Sequence, residues 1–329
     1  MRHRGRSDGQ DPVTIQDVAR AAAVSTATVS RVLTGPARVR PGLVARVGAA
    51  VASLGYVPNP HARALASLRS GVIGICALRL ESHARVIAGI VGRLETAGLC
   101  ALLGEEDGGG GAFPAAFERQ SVEAVIFVGD EPVPDVRARL VDRRTPWVAC
   151  VSGRAAEGGM VSIAIARAAD SVALYLAGLG HRSVALVSSP ASGAVERAFL
   201  DEMRARALTW GADCIDVDCV AGSWPGVAAR LRRDGVTACV CAGDELAAGV
   251  IQALHGLNLR IPENVSVIGW GDHPTASLLV PALTTVRVPY RALGIAAAEM
   301  VVALRERHPV VPIEMAAKLV IRRSAGPRA

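Results

Sequence analysis

Apolar residues recur at helical spacing in three short stretches near the start of the chain, and each stretch predicts an amphipathic helix. Thr14 and Asp17 have the spacing of a capping box for the first helix. Ser25 offers an N-cap to the second helix, and Gly55 ends the third. Two short helices joined by a tight turn and packed on a third predict a helix-turn-helix module. The predicted apolar faces are Ile15, Val18, Ala19 and Ala22, then Val29, Val32 and Leu33, and finally Val44, Val47, Val51 and Leu54.

After Ser70 the pattern changes to short apolar runs that alternate with helical stretches. The runs are GVIGICAL, AVIFVG, WVACV, SVALVS, ACVCAG and VSVIGW. Such alternation is typical of βαβ units built on parallel sheets. The glycine run at 108–111 lacks the context of a phosphate-binding motif, so a flexible loop is expected there. The chain is therefore predicted to join a small all-α module to a larger α/β body.

The outward surface of the second predicted helix is the first candidate for function. With its apolar residues turned inward, that helix presents Thr26, Ala27, Ser30 and Arg31. Small side chains let a helix enter the major groove, hydroxyls donate to phosphates, and an arginine reaches base edges or the backbone. A merely solvated polar surface is the alternative interpretation of this helix.

Positive charge is concentrated at the amino-terminal end of the chain. Residues 1–70 hold ten arginines against three aspartates, a net charge of +7, whereas the whole chain carries +6. The rest of the chain is therefore close to neutral, at about −1. A segregated basic module is the electrostatic footprint of a polyanion binder, which favours nucleic acid as the partner.

The remaining composition argues against several other functional classes. Of the 329 residues 51% are hydrophobic and 20% are charged, enough to build a packed core. The basic first ten residues lack the apolar run of a secretory signal, and no apolar run reaches the length of a membrane span. A cytoplasmic protein is therefore expected.

No stretch carries the residues of a catalytic, metal or cofactor site, so an enzyme is not predicted. The seven cysteines lack metal-ligand spacing, and Cys239 and Cys241 in ACVCAG are expected to be small buried apolar side chains. His181 in LGHRS is interpreted as a structural residue at a helix end.

The first stretches of the chain also resemble a known family. The sequence TIQDVARAAAVSTATVSRVLTG, followed by LGYVPNPHARALAS, is similar to the DNA-binding headpiece and hinge of the lactose-repressor family of bacterial transcription regulators. LGHRSVALVS, RIPENVSVIGWGD and PALTTVRVPY continue the resemblance through the body.

The resemblance implies the organisation of the whole chain. A basic flexible tail is expected at 1–12, a helix-turn-helix headpiece at 13–58 and a hinge helix at 59–69. The two-lobed effector-binding and dimerisation domain at 70–329 should be similar to periplasmic binding proteins. Its lobes would carry parallel sheets, and the chain would cross between them near 153–166, 285–291 and 312–320.

The resemblance further implies a dimeric repressor of a pseudo-palindromic operator, with double-stranded DNA, a second copy of the chain and a small-molecule effector as partners. Leu65 would be the apolar wedge that opens the central base step from the minor groove. The turn between the first two predicted helices has Ala23 where the family usually has Gly. The implied DNA-binding residues are Ser25, Thr26, Ala27, Thr28, Ser30, Arg31, Arg38, Asn59, Ala62 and Leu65.

The expected effector cleft departs from the family pattern. Trp224, Asp244 and Asp272 remain as candidate effector-binding residues. At four places where the family has polar groups around the ligand, this chain has Ala164–Ile165, Val195, Gly243 and Gly271; we call these positions the replaced anchors. Gly271 stands where the family has the first Asp of a Phe-Asp-Asp pattern. Each lost hydrogen bond removes about 0.5–1.5 kcal/mol. The effector is therefore expected to be apolar, bound elsewhere, or absent.

Two alternatives remain at this point. A small-molecule-binding α/β protein with a vestigial headpiece is one, and an architectural DNA binder with low sequence preference is the other.

Overall fold

The computed structural model describes residues 13–34, 39–56, 70–106, 117, 121–129, 131–152, 159–220 and 223–328. The chain divides into two compact units, Met1–Ser70 and Gly71–Ala329. Arg38, Asn59, Ala62 and Leu65 lie outside the described residues, as do the proposed tail at 1–12 and hinge at 59–69.

The amino-terminal unit is a three-helix module of the predicted kind. Its helices are α1 (Ile15–Ala21), α2 (Thr26–Thr34) and α3 (Pro41–Leu54). The predicted apolar faces meet in one core, in which Val18, Val29 and Val47 are fully buried. The predicted capping box at Thr14 is present, and Gly55 ends α3 in the left-handed conformation, at φ +61°.

The first lobe of the body is built on a sheet whose pairings are all parallel among the described residues. Its strands are β1 (Val72–Leu78), β2 (Cys100–Glu106), β3 (Ala124–Val128), β4 (Trp147–Ser152), β5 (Gly159–Ile163) and β11 (Ile313–Met315), in the order β11-β5-β4-β3-β1-β2. A 3-10 helix at Leu80–His83 leads into α4 (Ala84–Thr96); α5 (Pro134–Asp142) and α10 (Tyr290–Arg305) complete the lobe. Helices α4 and α10 cross so closely that a Cβ on Gly294 would overlap the carbonyl oxygen of Val86.

The second lobe carries a sheet in which only one described pairing, β10 with β12, is antiparallel. Its strands are β6 (Ser183–Ser188), β7 (Asp213–Asp218), β8 (Ala238–Cys241), β9 (Ser266–Gly271), β10 (Thr284–Arg287) and β12 (Lys318–Val320), in the order β12-β10-β9-β8-β6-β7. Its helices are α6 (Ile165–Gly178), α7 (Ala194–Trp210), α8 (Trp224–Arg233) and α9 (Asp244–Gly256), with a 3-10 helix at Pro274–Ser277.

The chain passes between the two sheets three times. It leaves the first after Ile163, returns after Arg287, and crosses again between Met315 and Lys318, within the stretches expected from the resemblance. One apolar cluster includes residues of both lobes, such as Val86 in the first and Trp270 in the second. The lobes therefore share part of their core.

Two interpretations of single residues are confirmed. Cys239 and Cys241 are fully buried, and burial raises the pKa of Cys239 to about 12. His181 is buried and structural: its Nδ1 lies 3.0 Å from Thr237 Oγ1, and its Nε2 lies 3.1 Å from the carbonyl oxygen of Gly326. Among the described residues, no helix is long and apolar enough to cross a membrane.

Candidate nucleic-acid interface and effector cleft

The candidate recognition helix α2 starts at a side-chain cap. The backbone N–H of Thr28 donates to Ser25 Oγ at 3.2 Å, and the carbonyl oxygen of Ser25 accepts from Val29 at 3.1 Å. The hydroxyls of Ser25 and Thr28 are 2.9 Å apart. Ser25 is thus the predicted N-cap, which fixes the start and direction of the helix.

The start and the outward side of α2 carry six of the ten predicted DNA-binding residues. Ser25, Thr26, Ala27 and Arg31 are exposed, and Thr28 and Ser30 are half-buried at the edge of the module core. All but the arginine are small, so the backbone of α2 can approach another surface closely. A charged group at the far end of this small face is suited to a phosphate or a base edge.

The turn before α2 contains a strained residue, Ala23, at the position where the family usually has Gly, and a supporting contact from Arg46. Ala23 has φ +49°, a conformation that costs a residue with a Cβ about 1–2 kcal/mol. The guanidinium of Arg46, on α3, donates to the carbonyl oxygens of Ala22 at 2.6 Å and Ala23 at 3.1 Å. Arg46 therefore fixes the turn and hence the angle between α1 and α2, a role that no sequence pattern indicated.

In the body, Asp244 has both carboxylate oxygens engaged within the protein. Its Oδ1 accepts from the Thr285 hydroxyl at 2.5 Å, and its Oδ2 accepts from the backbone N–H of His273 at 2.5 Å. Only 6% of the residue is exposed. Burial raises the pKa of Asp244, although these two hydrogen bonds oppose the shift. Asp244 thus ties the start of α9 to the loop after β9.

Asp272 lies between two arginines. Arg287 Nε and Arg322 Nη2 donate to its two oxygens at 2.5 and 2.6 Å. Burial opposes ionisation, but the hydrogen bonds from Arg322 and then Arg287 outweigh it and lower the pKa of Asp272. The carboxylate therefore joins the loop after β9 to β10 and to the carboxyl-terminal segment.

Trp224, the third candidate, is half-buried at the start of α8 and lies against the neighbouring helix α9. Its indole ring lies so close to Gly249 that a Cβ there would overlap the ring. The structure thus brings Asp244 and Asp272 to one loop, through the bond to His273, and uses Trp224 to pack α8 on α9.

Two of the replaced anchors, Ala164 and Val195, are part of the apolar interior. Val195 lies in the apolar cluster that includes residues of both lobes. Phe199, one turn later, packs against Trp270 with ring centroids 4.3 Å apart and ring planes tilted by 34°. Gly271 ends β9 with φ +119°. These positions supply contact area but no side-chain hydrogen bonds to a polar ligand.

Sequence reasoning missed one charged residue at this place. Arg85, at the start of α4 in the first lobe, donates to the carbonyl oxygens of Gly271 at 2.7 Å and Asp272 at 3.1 Å, and its guanidinium lies over the ring of Tyr290. No motif marks Arg85, because its partners are backbone atoms almost two hundred positions away. Among the described residues, no group of three or more His, Cys, Asp or Glu side chains is arranged to hold a metal ion.

Comparison with known proteins identifies both parts of the chain. Residues 14–59 match the family described as bacterial regulatory proteins, lacI family, and residues 173–325 match the periplasmic binding protein-like domain. The chain is 30% identical over 302 residues to the lactose operon repressor of Escherichia coli strain K12, covering 86% of this chain and 82% of that protein. The chain belongs to the lacI family of bacterial regulatory proteins.

Other members of the lacI family match over nearly the full chain. The HTH-type transcriptional repressor PurR of Proteus mirabilis (strain HI4320) is 29% identical over 330 residues, covering 94% of this chain and 96% of that protein. A crystal structure of the lac repressor dimer bound to operator and the anti-inducer ONPF is similar, with a TM-score of 0.81 and 26% identity, covering 96% of this chain and 100% of that one. The predicted family and fold class are confirmed, and these relatives are transcriptional regulators.

Proposed function

We propose that this lacI-family regulator is a dimeric repressor that binds a pseudo-palindromic operator through α2 of each headpiece. The observation that carries the proposal is the surface of α2. Thr26, Ala27 and Arg31 are exposed on one side, while the opposite side is buried in the core of the headpiece. A helix so placed can enter the major groove without unfolding any part of its own module.

The body supports a dimer through exposed apolar side chains. Leu278 and Val280, in the loop after the 3-10 helix Pro274–Ser277, are 77% and 81% exposed. Large apolar side chains grouped at the surface mark an interaction site. The similar lac repressor structure is a dimer bound to operator, which agrees with this assignment. Two copies related by a twofold axis would present two recognition helices to a palindrome.

The electrostatics predict how binding responds to salt. Ten arginines lie in residues 1–70, and contacts to phosphates release condensed counterions. Operator affinity should therefore fall steeply as the salt concentration rises. A regulator that acts on chromosomal DNA in this way works in the cytoplasm and needs no catalytic group.

The cleft favours an unusual regulation. Asp244 and Asp272 have their oxygens engaged by Thr285, His273, Arg287 and Arg322, and the replaced anchors are apolar. We therefore propose that the protein does not respond to a typical sugar. Calorimetric titration with common sugars should show no binding, and micromolar affinity for any of them would contradict this part of the proposal.

The main experiment is selection of bound DNA from a random library with purified protein and no added ligand. A sharp palindrome with a flexible central step is the expected result. Weak, salt-labile enrichment would overturn the proposal in favour of an architectural binder, unless adding cell extract restores a sharp palindrome and so reveals a corepressor. No enrichment in either condition would favour the vestigial-headpiece alternative.

A single variant separates specific operator binding from binding through phosphates alone. Leu65→Ala should sharply lower affinity for the selected palindrome, because the resemblance assigns Leu65 as the wedge at the central base step. Unchanged affinity would indicate binding through phosphates alone.

A further inference from the structure

A side chain of the first lobe reaches across to the second lobe. The guanidinium of Arg85 donates from Nη2 to Gly271 and from Nη1 to Asp272, and both acceptors are backbone carbonyl oxygens at the end of β9. Its Cζ lies 4.6 Å from the centroid of the Tyr290 ring, within the range of a cation–π contact. Nearby, Arg79 of the first lobe donates to the carbonyl oxygen of Ala191 in the second.

The two carbonyl oxygens that accept from Arg85 belong to residues with an uncommon backbone conformation. Gly271 has φ +119° and Asp272 has φ +49°, so two consecutive residues have positive φ. Residues with a Cβ rarely adopt the first conformation. Arg287 and Arg322 hold the second residue by its carboxylate. With the backbone so held, both carbonyl oxygens accept from one planar guanidinium.

Position 271 connects this geometry to the departure from the family pattern. The resemblance implies an Asp at the position where this chain has Gly271, so a side chain that could bind a polar ligand is absent there. The same replacement permits the φ angle at which the carbonyl oxygen of residue 271 accepts from Arg85. Position 271 thus lacks a carboxylate that could bind a ligand, and its backbone carbonyl oxygen instead accepts a hydrogen bond from the first lobe.

We propose that Arg85 is a built-in substitute for an effector, holding the two lobes together across the cleft in the ligand-free protein. Hydrogen bonds from a charged group are stronger than those between neutral groups, and here both partners belong to one chain. An effector that acts in this cleft must displace the Arg85 side chain. This inference deepens the proposed function. The interlobe contact itself does not depend on that function, but its expected consequence, operator binding without an effector, does.

Hydrogen exchange of the free full-length protein tests the proposal. Arg85→Ala should speed exchange of the amides in the loop 272–278 by about tenfold, because the loop loses its attachment to the first lobe. Millimolar guanidinium should restore the protection in this variant, since a free guanidinium ion fits the same two carbonyl oxygens. It should not change exchange in the parent protein, whose site is occupied.

The matched control is Arg93→Met on the same helix. Arg93 Nε pairs with Glu299 Oε1 at 3.1 Å, a contact between two helices of the first lobe. The variant loses the same charge but no interlobe contact, so the loop 272–278 should exchange as in the parent and should not respond to guanidinium.

Two results would overturn the proposal: unchanged exchange of the loop in Arg85→Ala, or faster exchange that guanidinium does not reverse. Should the alanine variant fail to fold, Arg85→Lys replaces it, because lysine keeps the charge but lacks the planar fork. The lysine variant should show intermediate exchange and partial rescue, and parent-like exchange would contradict the proposal. Exchange is measured without DNA, so a failed operator selection would overturn the proposed function and leave this result standing.

Discussion

The headpiece and the body both carry polar candidate residues, but those of the headpiece are exposed to solvent and those of the body are bonded within the protein. On α2, Thr26 and Arg31 are exposed at the surface of a module whose stability comes from an apolar core. Around the loop after β9, Asp244 and Asp272 form hydrogen bonds with groups of the same chain. A polar group can bind a partner only with the atoms that the fold leaves available. The side chains of Thr26 and Arg31 keep theirs at the surface, whereas the carboxylates of Asp244 and Asp272 use theirs within the chain.

The largest effect is expected in DNA binding. Arg31→Ala should lower affinity for the selected operator by about 10- to 100-fold while leaving headpiece stability nearly unchanged, because an exposed side chain contributes little to folding. Fluorescence anisotropy with operator and scrambled DNA measures the affinities. Arg20→Ala is the control, since it removes the same charge from an exposed pair with Asp17. An equal loss of specificity in both variants would show that α2 does not read the sequence.

The corresponding change in the body should affect stability instead. Asp272→Asn removes the charge that Arg287 and Arg322 share, and should lower the free energy of unfolding by roughly 2–3 kcal/mol. Denaturant unfolding measures the difference. Asp142→Asn, at the exposed end of α5, should change stability by less than about 0.5 kcal/mol. A similar small change at Asp272 would mean that the carboxylate is available to a ligand after all.

A smaller effect is expected in the turn before α2. Ala23→Gly should stabilise the headpiece by about 0.5–1 kcal/mol, because glycine adopts a positive φ without steric cost. Protection of headpiece amides from hydrogen exchange reports the change. Ala49→Gly, at an exposed position inside α3, should shift protection in the opposite direction by a comparable amount. Destabilisation by both glycines would show that Ala23 is not strained.

The smallest effect concerns pH. Burial lowers the pKa of His181 from its ordinary value of 6.5, so the folded protein favours the neutral ring. As pH falls through 6.5, the unfolded chain takes up this proton first, and stability should decline until the pH passes the folded-state pKa. Urea unfolding at several pH values should show this decline in the parent and a weaker one in His181→Asn. His255→Asn removes an exposed imidazole as a control; equal slopes in all three proteins would refute the assignment.

The local features of the chain were largely predictable. The capping box at Thr14, the N-cap at Ser25 and the glycine stop at Gly55 depend on neighbours a few positions away, so the sequence pattern predicts them directly. Burial of Val18, Val29 and Val47 follows from helical spacing in the same way. The alternation of apolar runs likewise predicted parallel sheets, because each run is a complete buried strand.

The arginines that hold the turn before α2 and join the two lobes of the body were not predictable. Arg46 reaches carbonyl oxygens more than twenty positions away, and Arg85 reaches Gly271 across 186 positions. Every residue has a backbone carbonyl oxygen, so the sequence does not mark which residue accepts from an arginine. Contacts of this kind therefore could not be predicted from residue types. For Asp244 and Asp272, the sequence predicted effector-binding residues but could not show that their carboxylate oxygens accept hydrogen bonds from the same chain.

The amino-acid sequence thus determined the elements, the basic headpiece with its outward polar helix, and the family, because these depend on residue types at short spacing. Tertiary structure decided how the charged side chains of the body are used. Hydrogen bonds between lobes depend on distances and φ angles that arise only when both sheets have formed. The departures at Val195 and Gly271 were visible as lost anchors, and only the folded body shows apolar packing at the first and an acceptor for Arg85 at the second.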